Sequence, residues 1–302
     1  MALDAQEVAM RMIRTPTLDI ACETHGPEGG PVAILLHGFP YGARDYDKVA
    51  PVLAVEGWHV LVPHLRGHGP THFLREDTPR SGQQAALGQD LLDLMDALAI
   101  EHAVVAGYDW GGRAACIAAA LAPERVTGLL SCNGYNIQDI PNSGRPAPPA
   151  RELRYWYQWY FHTERGATAM AENPAAVNLL LWQLWSPDYN FTDEEFDATA
   201  ALWQNPDYAA VVIQSYRHRH RAAPGDPAYD AMEAALAQQP LITVPTVVLH
   251  GESDNVDPPE NSADCQKHFT GRFAREVLPG IGHCIPREAP EAFLAGLRAL
   301  KG

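Results

Sequence analysis

The chain has 302 residues, 46% hydrophobic and 20% charged, a composition that belongs to a globular protein with a large core and excludes a disordered, collagenous or small disulfide-stapled chain. Thirty-seven acidic residues against twenty-two Lys and Arg give a formal charge of -15, so nucleic acid and acidic membranes are poor partners, and a strongly anionic substrate is disfavoured unless a local basic clamp offsets the field. Five scattered cysteines without a C-x-x-C pair, Cys22, Cys116, Cys132, Cys265 and Cys284, suit a reducing compartment. The opening stretch MALDAQEVAMRMIRT has no unbroken apolar region and no later segment approaches a membrane span, so the expectation is a cytoplasmic protein without a targeting peptide.

In chain order, short apolar runs at 32–36, 59–62, 103–106 and 127–131 read as strands, with helical patterns at 83–98 and 111–121 between them. Continuous apolar strands separated by helices predict a mostly parallel sheet covered on both faces. From about 134 to 235 the strand runs stop, and helical text carrying five of the seven tryptophans replaces them. Strand runs then resume at 246–250 and 273–278, before a last helix at about 290–300. Two domains in series would leave those last strands without a sheet. The expectation is therefore an α/β core, 1–133 and 236–302, interrupted by a helical cap at 134–235.

The segment AVVAGYDWGG, 103–112, runs from a strand through G-x-D-x-G-G into a helix. Such a turn lifts its apex residue, Asp109, out at the carboxyl end of the sheet, and a helix N-terminus there favours a negative charge. A carboxylate is a weak acyl-transfer nucleophile but a competent one toward an sp³ carbon. The product would be an alkyl ester on Asp109 that water must then hydrolyse, which calls for a base and an oxyanion hole. His283, in Gly280-Ile281-Gly282-His283 after the last strand, is the candidate base; Asp254, in HGESD, is its candidate orienter, with Asp257 as the competing choice.

The order Asp109, Asp254, His283, the elbow, and His37-Gly38-Phe39-Pro40 after the first apolar run resemble the α/β-hydrolase superfamily over nearly the whole chain, and in particular its epoxide hydrolase and dehalogenase branch. The resemblance implies an oxyanion hole from the backbone N–H groups of Phe39 and Trp110. It also implies two cap tyrosines that hold and protonate an epoxide oxygen: Tyr157, in Tyr157-Gln158-Trp159-Tyr160-Phe161, and Tyr216, in Ser215-Tyr216-Arg217. Tyr108 stands where this branch usually has His before the nucleophile, and His64-Leu65-Arg66-Gly67 replaces the common Asp-x-Arg-Gly.

Two dehalogenase alternatives fit less well. Phe39 occupies the position of a halide-binding Asn in haloalkane dehalogenases. The paired arginines and halide-binding His of fluoroacetate dehalogenases reduce here to Arg113 and Gln158, and Asn133 stands where their acid tends to come from. A ligand-binding protein of the same fold is a third alternative, disfavoured because Asp109, Asp254 and His283 are all present. Trp159 and Trp185 are read as lining or packing the substrate cavity. Arg113 either touches substrate or tethers the elbow helix, and His37 acts either on substrate or through a hydrogen bond behind it. His218 and His220 are too closely spaced on one helix for a metal pair, so no metal or cofactor is expected. The expected partners are water and a neutral, fairly apolar epoxide; a homodimer is compatible with the resemblance.

Overall fold

The computed structural model describes residues 9–301; residues 1–8, within the stretch inspected for a targeting peptide, lie outside the described residues. In chain order the elements are β1 (Ala9–Arg14), β2 (Leu18–His25), β3 (Val32–Leu36), α1 (Ala50–Val55), β4 (His59–Pro63), β5 (His72–Phe73), α2 (Gln84–Ala97), β6 (Ala103–Gly107), α3 (Asp109–Leu121) and β7 (Val126–Cys132). After these come α4 (Pro149–Arg154), α5 (Trp156–His162), α6 (Glu164–Glu172), α7 (Pro174–Trp185), α8 (Asp193–Ala200), α9 (Tyr208–Arg219) and α10 (Asp230–Leu236). The chain closes with β8 (Thr246–Gly251), β9 (Phe273–Leu278), α11 (Ile285–Glu288) and α12 (Pro290–Arg298).

The sheet order is β1-β2-β4-β3-β6-β7-β8-β9, with β5 beside β2. From β4 to β9 all neighbours run parallel, while β2 pairs antiparallel with β1, β4 and β5. The inner parallel strands are the continuous apolar runs because helices leave neither face to water; all five residues of β6 are buried, whereas the edge strand β9, FAREVL, alternates half-buried and exposed positions. The N-terminal strands β1 and β2 and the small β5 were not anticipated. AMRMIR and LDIACETH mix charged and apolar residues, and β2 joins the sheet only through long-range pairing with β4. Among the described residues no helix is long and apolar enough to cross a membrane.

Helices α4 to α10 lie between β7 and β8, packing on one another through α5, α6 and α9. Their starts are locally encoded. Thr163 and Asn173 accept from Gly166 and Ala176 N–H groups at the N-termini of α6 and α7, and Thr192 with Glu195 forms a capping box on α8. Polar contacts fasten this layer to the sheet: Trp182 Nε1 donates to Pro40 O at 3.0 Å, and Asn205 Nδ2 donates to Gly69 O and Thr71 O at 2.8 and 2.6 Å.

A second fastening is buried. Arg66 donates from Nε and a terminal nitrogen to the two oxygens of Asp90, each at 2.7 Å, and also to Ser81 O and the Tyr229 hydroxyl. Arg66→Met would leave the Asp90 carboxylate buried without its partner, which costs about 3–5 kcal/mol. Urea unfolding of the variant should show a loss of that size at an unchanged m-value.

Candidate functional site

Asp109 begins α3 with φ +47°, a conformation that a residue with a side chain adopts only when its surroundings impose it. Two glycines make the turn possible. A Cβ on Gly111 would stand 2.0 Å from Leu36 O, so only glycine lets the helix start pack on the end of β3. A Cβ on Gly38 would stand 2.7 Å from the Asp109 Cβ, so the loop after β3 closes on the carboxylate for the same reason. That closeness places the Phe39 N–H on Asp109 Oδ1 at 2.9 Å, while Arg113, one turn along α3, donates to Oδ2 at 3.3 Å. Trp110 N–H is among the free donors of the first helical turn, and the Trp110 ring stacks on Phe39 at 5.6 Å.

His283 follows β9 in the chain and is buried, with Nδ1 2.7 Å from Asp254 Oδ2. The carboxylate of Asp254 is held in turn: Asn133 Nδ2 donates to Oδ2 at 2.6 Å, and the Val256 and Asp257 N–H groups donate to Oδ1 at 3.0 and 2.8 Å. Asp257, the competing acid, shares that turn, and its own carboxylate accepts from Asn261. The loop bearing His283 is clamped by Glu288, which accepts from the Gly282 and Cys284 N–H groups, and by Ser186 Oγ, which accepts from the His283 N–H. Burial works against a charge on His283, but bonded Asp254 and the charges of Asp109 and Asp257 outweigh it and lift the imidazole to about 9. His283 Nε2 is buried with no partner among the described residues.

A cavity of about 440 Å³ opens over these groups, with Asp109, His283, Tyr157, Gln158 and Trp185 in its wall. The Tyr157 and Tyr216 rings meet edge to face at 5.3 Å. The Tyr157 hydroxyl accepts from Gln158 Nε2 at 2.9 Å, and Gln158 Oε1 lies 2.8 Å from His220 Nε2, which leaves the Tyr157 proton free to donate. The Tyr216 hydroxyl is buried with no partner among the described residues. Burial raises both phenols above their ordinary value, with each also feeling the Asp109 charge, so both are protonated at neutral pH. The Trp185 ring sits 5.1 Å from those of both His283 and Tyr157.

For His37 and Trp159 the structure selects the second of the two roles left open to each. Both ring nitrogens of His37 are taken by backbone, Nδ1 3.1 Å from Gly38 O and Nε2 accepting from Leu65 N–H at 3.0 Å, so it braces the loop that carries Phe39. Trp159 is 38% exposed and packs on His162 and His220. Sequence reasoning passed over Asn133 as a support for Asp254, and over Glu288 and Ser186. Arg219 was missed too, although its position three residues after Tyr216 on a helix puts both on one face.

The family described as alpha/beta hydrolase fold matches residues 31–290. Epoxide hydrolase A of Mycobacterium tuberculosis is 30% identical over 151 residues, 50% of this chain and 45% of that protein, so the match spans less than half of the relative's length. Human epoxide hydrolase 4 is 24% identical over 88% of this chain and 71% of that one. Among solved structures, a Klebsiella pneumoniae protein described as a "putative epoxide hydrolase" superposes with a TM-score of 0.96 at 41% identity, covering 99% of both chains.

The charge on His283 gives a measurable pH response. The folded value, about 9, lies above the unfolded 6.5, so the stability contributed by the imidazolium is complete below about pH 6.5 and is lost as pH rises toward 9. Unfolding free energies should fall across that window in the wild type and fall less in His283→Gln. The imidazole ¹⁵N titration should move to lower pH in Asp109→Asn, since one of the charges that lifts it is gone.

Proposed function

Because the chain belongs to the α/β-hydrolase fold family, we propose that it is an epoxide hydrolase that works through a covalent ester on Asp109. The observation that carries this reading is the pair of tyrosines, Tyr157 and Tyr216, whose rings meet edge to face and whose protonated hydroxyls feel the charge of the Asp109 carboxylate. The names of the relatives and of the Klebsiella structure support the same activity. In this reading 134–235 is the cap that supplies both tyrosines and closes the cavity.

An Asp109 oxygen attacks one ring carbon, the carbon–oxygen bond of the epoxide breaks, and a tyrosine hydroxyl protonates the departing oxygen. The tyrosinate is reprotonated at the expense of the His283 imidazolium. Loss of the Asp109 charge on esterification removes one of the influences that hold that proton, so the imidazole becomes a base when one is needed. Neutral His283, oriented by Asp254, takes a proton from water, which attacks the Asp109 carbonyl carbon. The N–H groups of Phe39 and Trp110 stabilise the resulting oxyanion. Collapse releases the vicinal diol and restores the carboxylate and the imidazolium. Every atom and proton is accounted for by epoxide plus water.

Three measurements test the scheme. Asp109→Ala should have no turnover, and appreciable diol formation by it would sink the covalent route. His283→Gln should accumulate an adduct of the substrate's mass on the protein. Tyr157→Phe with Tyr216→Phe should slow ring opening by about 10²–10⁴-fold, the usual worth of a positioned acid. A parallel screen of styrene-type and aliphatic epoxides, haloalkanes and fluoroacetate separates the readings: diol without halide is expected, whereas halide release that survives the double Phe variant would favour a dehalogenase.

A further inference from the structure

The two cap tyrosines differ in what holds them. The Tyr216 hydroxyl is buried with no partner among the described residues, so nothing there competes for its proton. The Tyr157 hydroxyl meets Gln158, and an amide can present either its N–H or its oxygen to a phenol. Facing the nitrogen, the phenol accepts and keeps its proton for the substrate. Facing the oxygen, the phenol donates and its proton is spent. Gln158 is 2% exposed, and the other end of its amide meets His220, whose Nε2 lies 2.8 Å from Gln158 Oε1. His220 follows the last residue of α9, one turn after Tyr216, with its ring 4.3 Å from that of Trp159 and 5.5 Å from that of His162. Both Gln158 and His220 stand in the cavity wall.

A neutral imidazole carries one N–H, and the nitrogen that holds it decides the direction of the whole chain of hydrogen bonds. Burial, then the charges of Arg219 and His162, push His220 down to about 4, so its ring is neutral at working pH. With the proton on Nε2, His220 donates to Gln158 Oε1, Gln158 Nε2 donates to the Tyr157 oxygen, and the Tyr157 proton is free. With the proton on Nδ1 every bond reverses, and Tyr157 donates to Gln158. The structure has the first direction. The second would place an N–H at Nδ1, which is buried with no hydrogen-bond partner among the described residues, and a bare nitrogen there is the lesser loss. We infer that His220 is a positioning residue for the acid: its Nε2–H, acting through Gln158, keeps the Tyr157 proton available to the epoxide oxygen. The inference rests on the reading that Tyr157 serves ring opening. As Tyr157 gives its proton to the epoxide oxygen, its own oxygen gains negative charge while still accepting from Gln158 Nε2, so that bond strengthens as the ring opens. In the reverse direction the forming tyrosinate would face the Gln158 oxygen instead.

The experiment times ester formation in a single turnover of the full chain, by the mass of the quenched protein, with the faster of styrene oxide and 1,2-epoxyhexane. Gln158→Glu puts an acceptor where the amide nitrogen stands, so Tyr157 must donate to it, and ester formation should fall as far as in Tyr157→Phe. Adding Gln158→Glu to Tyr157→Phe should cost nothing further. His220→Leu should slow ester formation by about 10-fold, the rate equivalent of one hydrogen bond, and His220→Gln, whose amide nitrogen can stand where Nε2 stands, should recover most of it. Hydrolysis of the ester should keep its wild-type rate in both His220 variants. Equal losses in the two steps would reduce His220 to packing and overturn the proposal, as would undiminished ester formation in Gln158→Glu. Long-range ¹H–¹⁵N spectra of the wild type, with the His220 signals identified by their loss in His220→Gln, read the tautomer without substrate. A proton on Nε2 is expected, and one on Nδ1 would overturn the proposal. If no epoxide of the panel is opened, the hydrolase reading fails by itself, and the spectrum still decides the direction of the chain from His220 to Tyr157.

Discussion

Asp109 occupies a backbone conformation that a residue with a Cβ avoids, at a cost of order 1–3 kcal/mol, and much of the surrounding structure exists to hold it there. The end of β6 is fixed by parallel neighbours on both sides, β3 and β7, so the turn has no freedom to relax along the strand. Gly111 lets α3 start against the last carbonyls of β3, and Gly38 lets the next loop close on the side chain. The Phe39 N–H that reaches the carboxylate follows from those two close approaches. His37 serves the same turn from behind, where burial keeps its ring neutral and its two nitrogens pin the loop to the backbone at Leu65.

Most of the acidity of this chain is on its surface, but a few carboxylates are spent inside it. Asp254 collects three donors besides His283, Glu288 shapes the loop that carries His283, and Asp90 anchors Arg66. Asp45 accepts from the Tyr108 hydroxyl and from Arg287, which continues to Thr199 Oγ1 at 2.8 Å and lies over the Trp182 ring. One buried carboxylate thus connects the residue before Asp109 to the helical layer above it. Buried charges of this kind are tolerable only when their lone pairs are satisfied, and here they are. A charge count over the whole chain therefore describes the solvated surface and says little about the cavity, where cations and acids are interleaved.

What the sequence made legible follows from what each feature depends on. The inner parallel strands are visible because burial on both faces writes an unbroken apolar run. The edge strands β1 and β2 are not, since their identity rests on pairing across the sheet. Asp109 and His283 are encoded in local motifs, so spacing alone located them. Asp254 and Asp257 could not be separated by spacing, because they belong to one turn and only orientation decides which carboxylate meets the imidazole. Orientation also explains Trp159, an aromatic beside Tyr157 that turns to the outer surface, and Gln158, whose amide aligns the Tyr157 hydroxyl.

On the proposed route, the Asp109 carboxylate is the charge whose loss marks the midpoint of the cycle, and two other groups are tuned to it. While it is present, it helps keep His283 protonated and unable to activate water, which protects the resting site from acting as a base too early. Once it is esterified, the imidazole loses that support just as a base is required. The same event strips Arg113 of the ion-pair partner it has among the described residues. The protonation of His283 and the pairing of Arg113 are in this sense two responses to one change of charge.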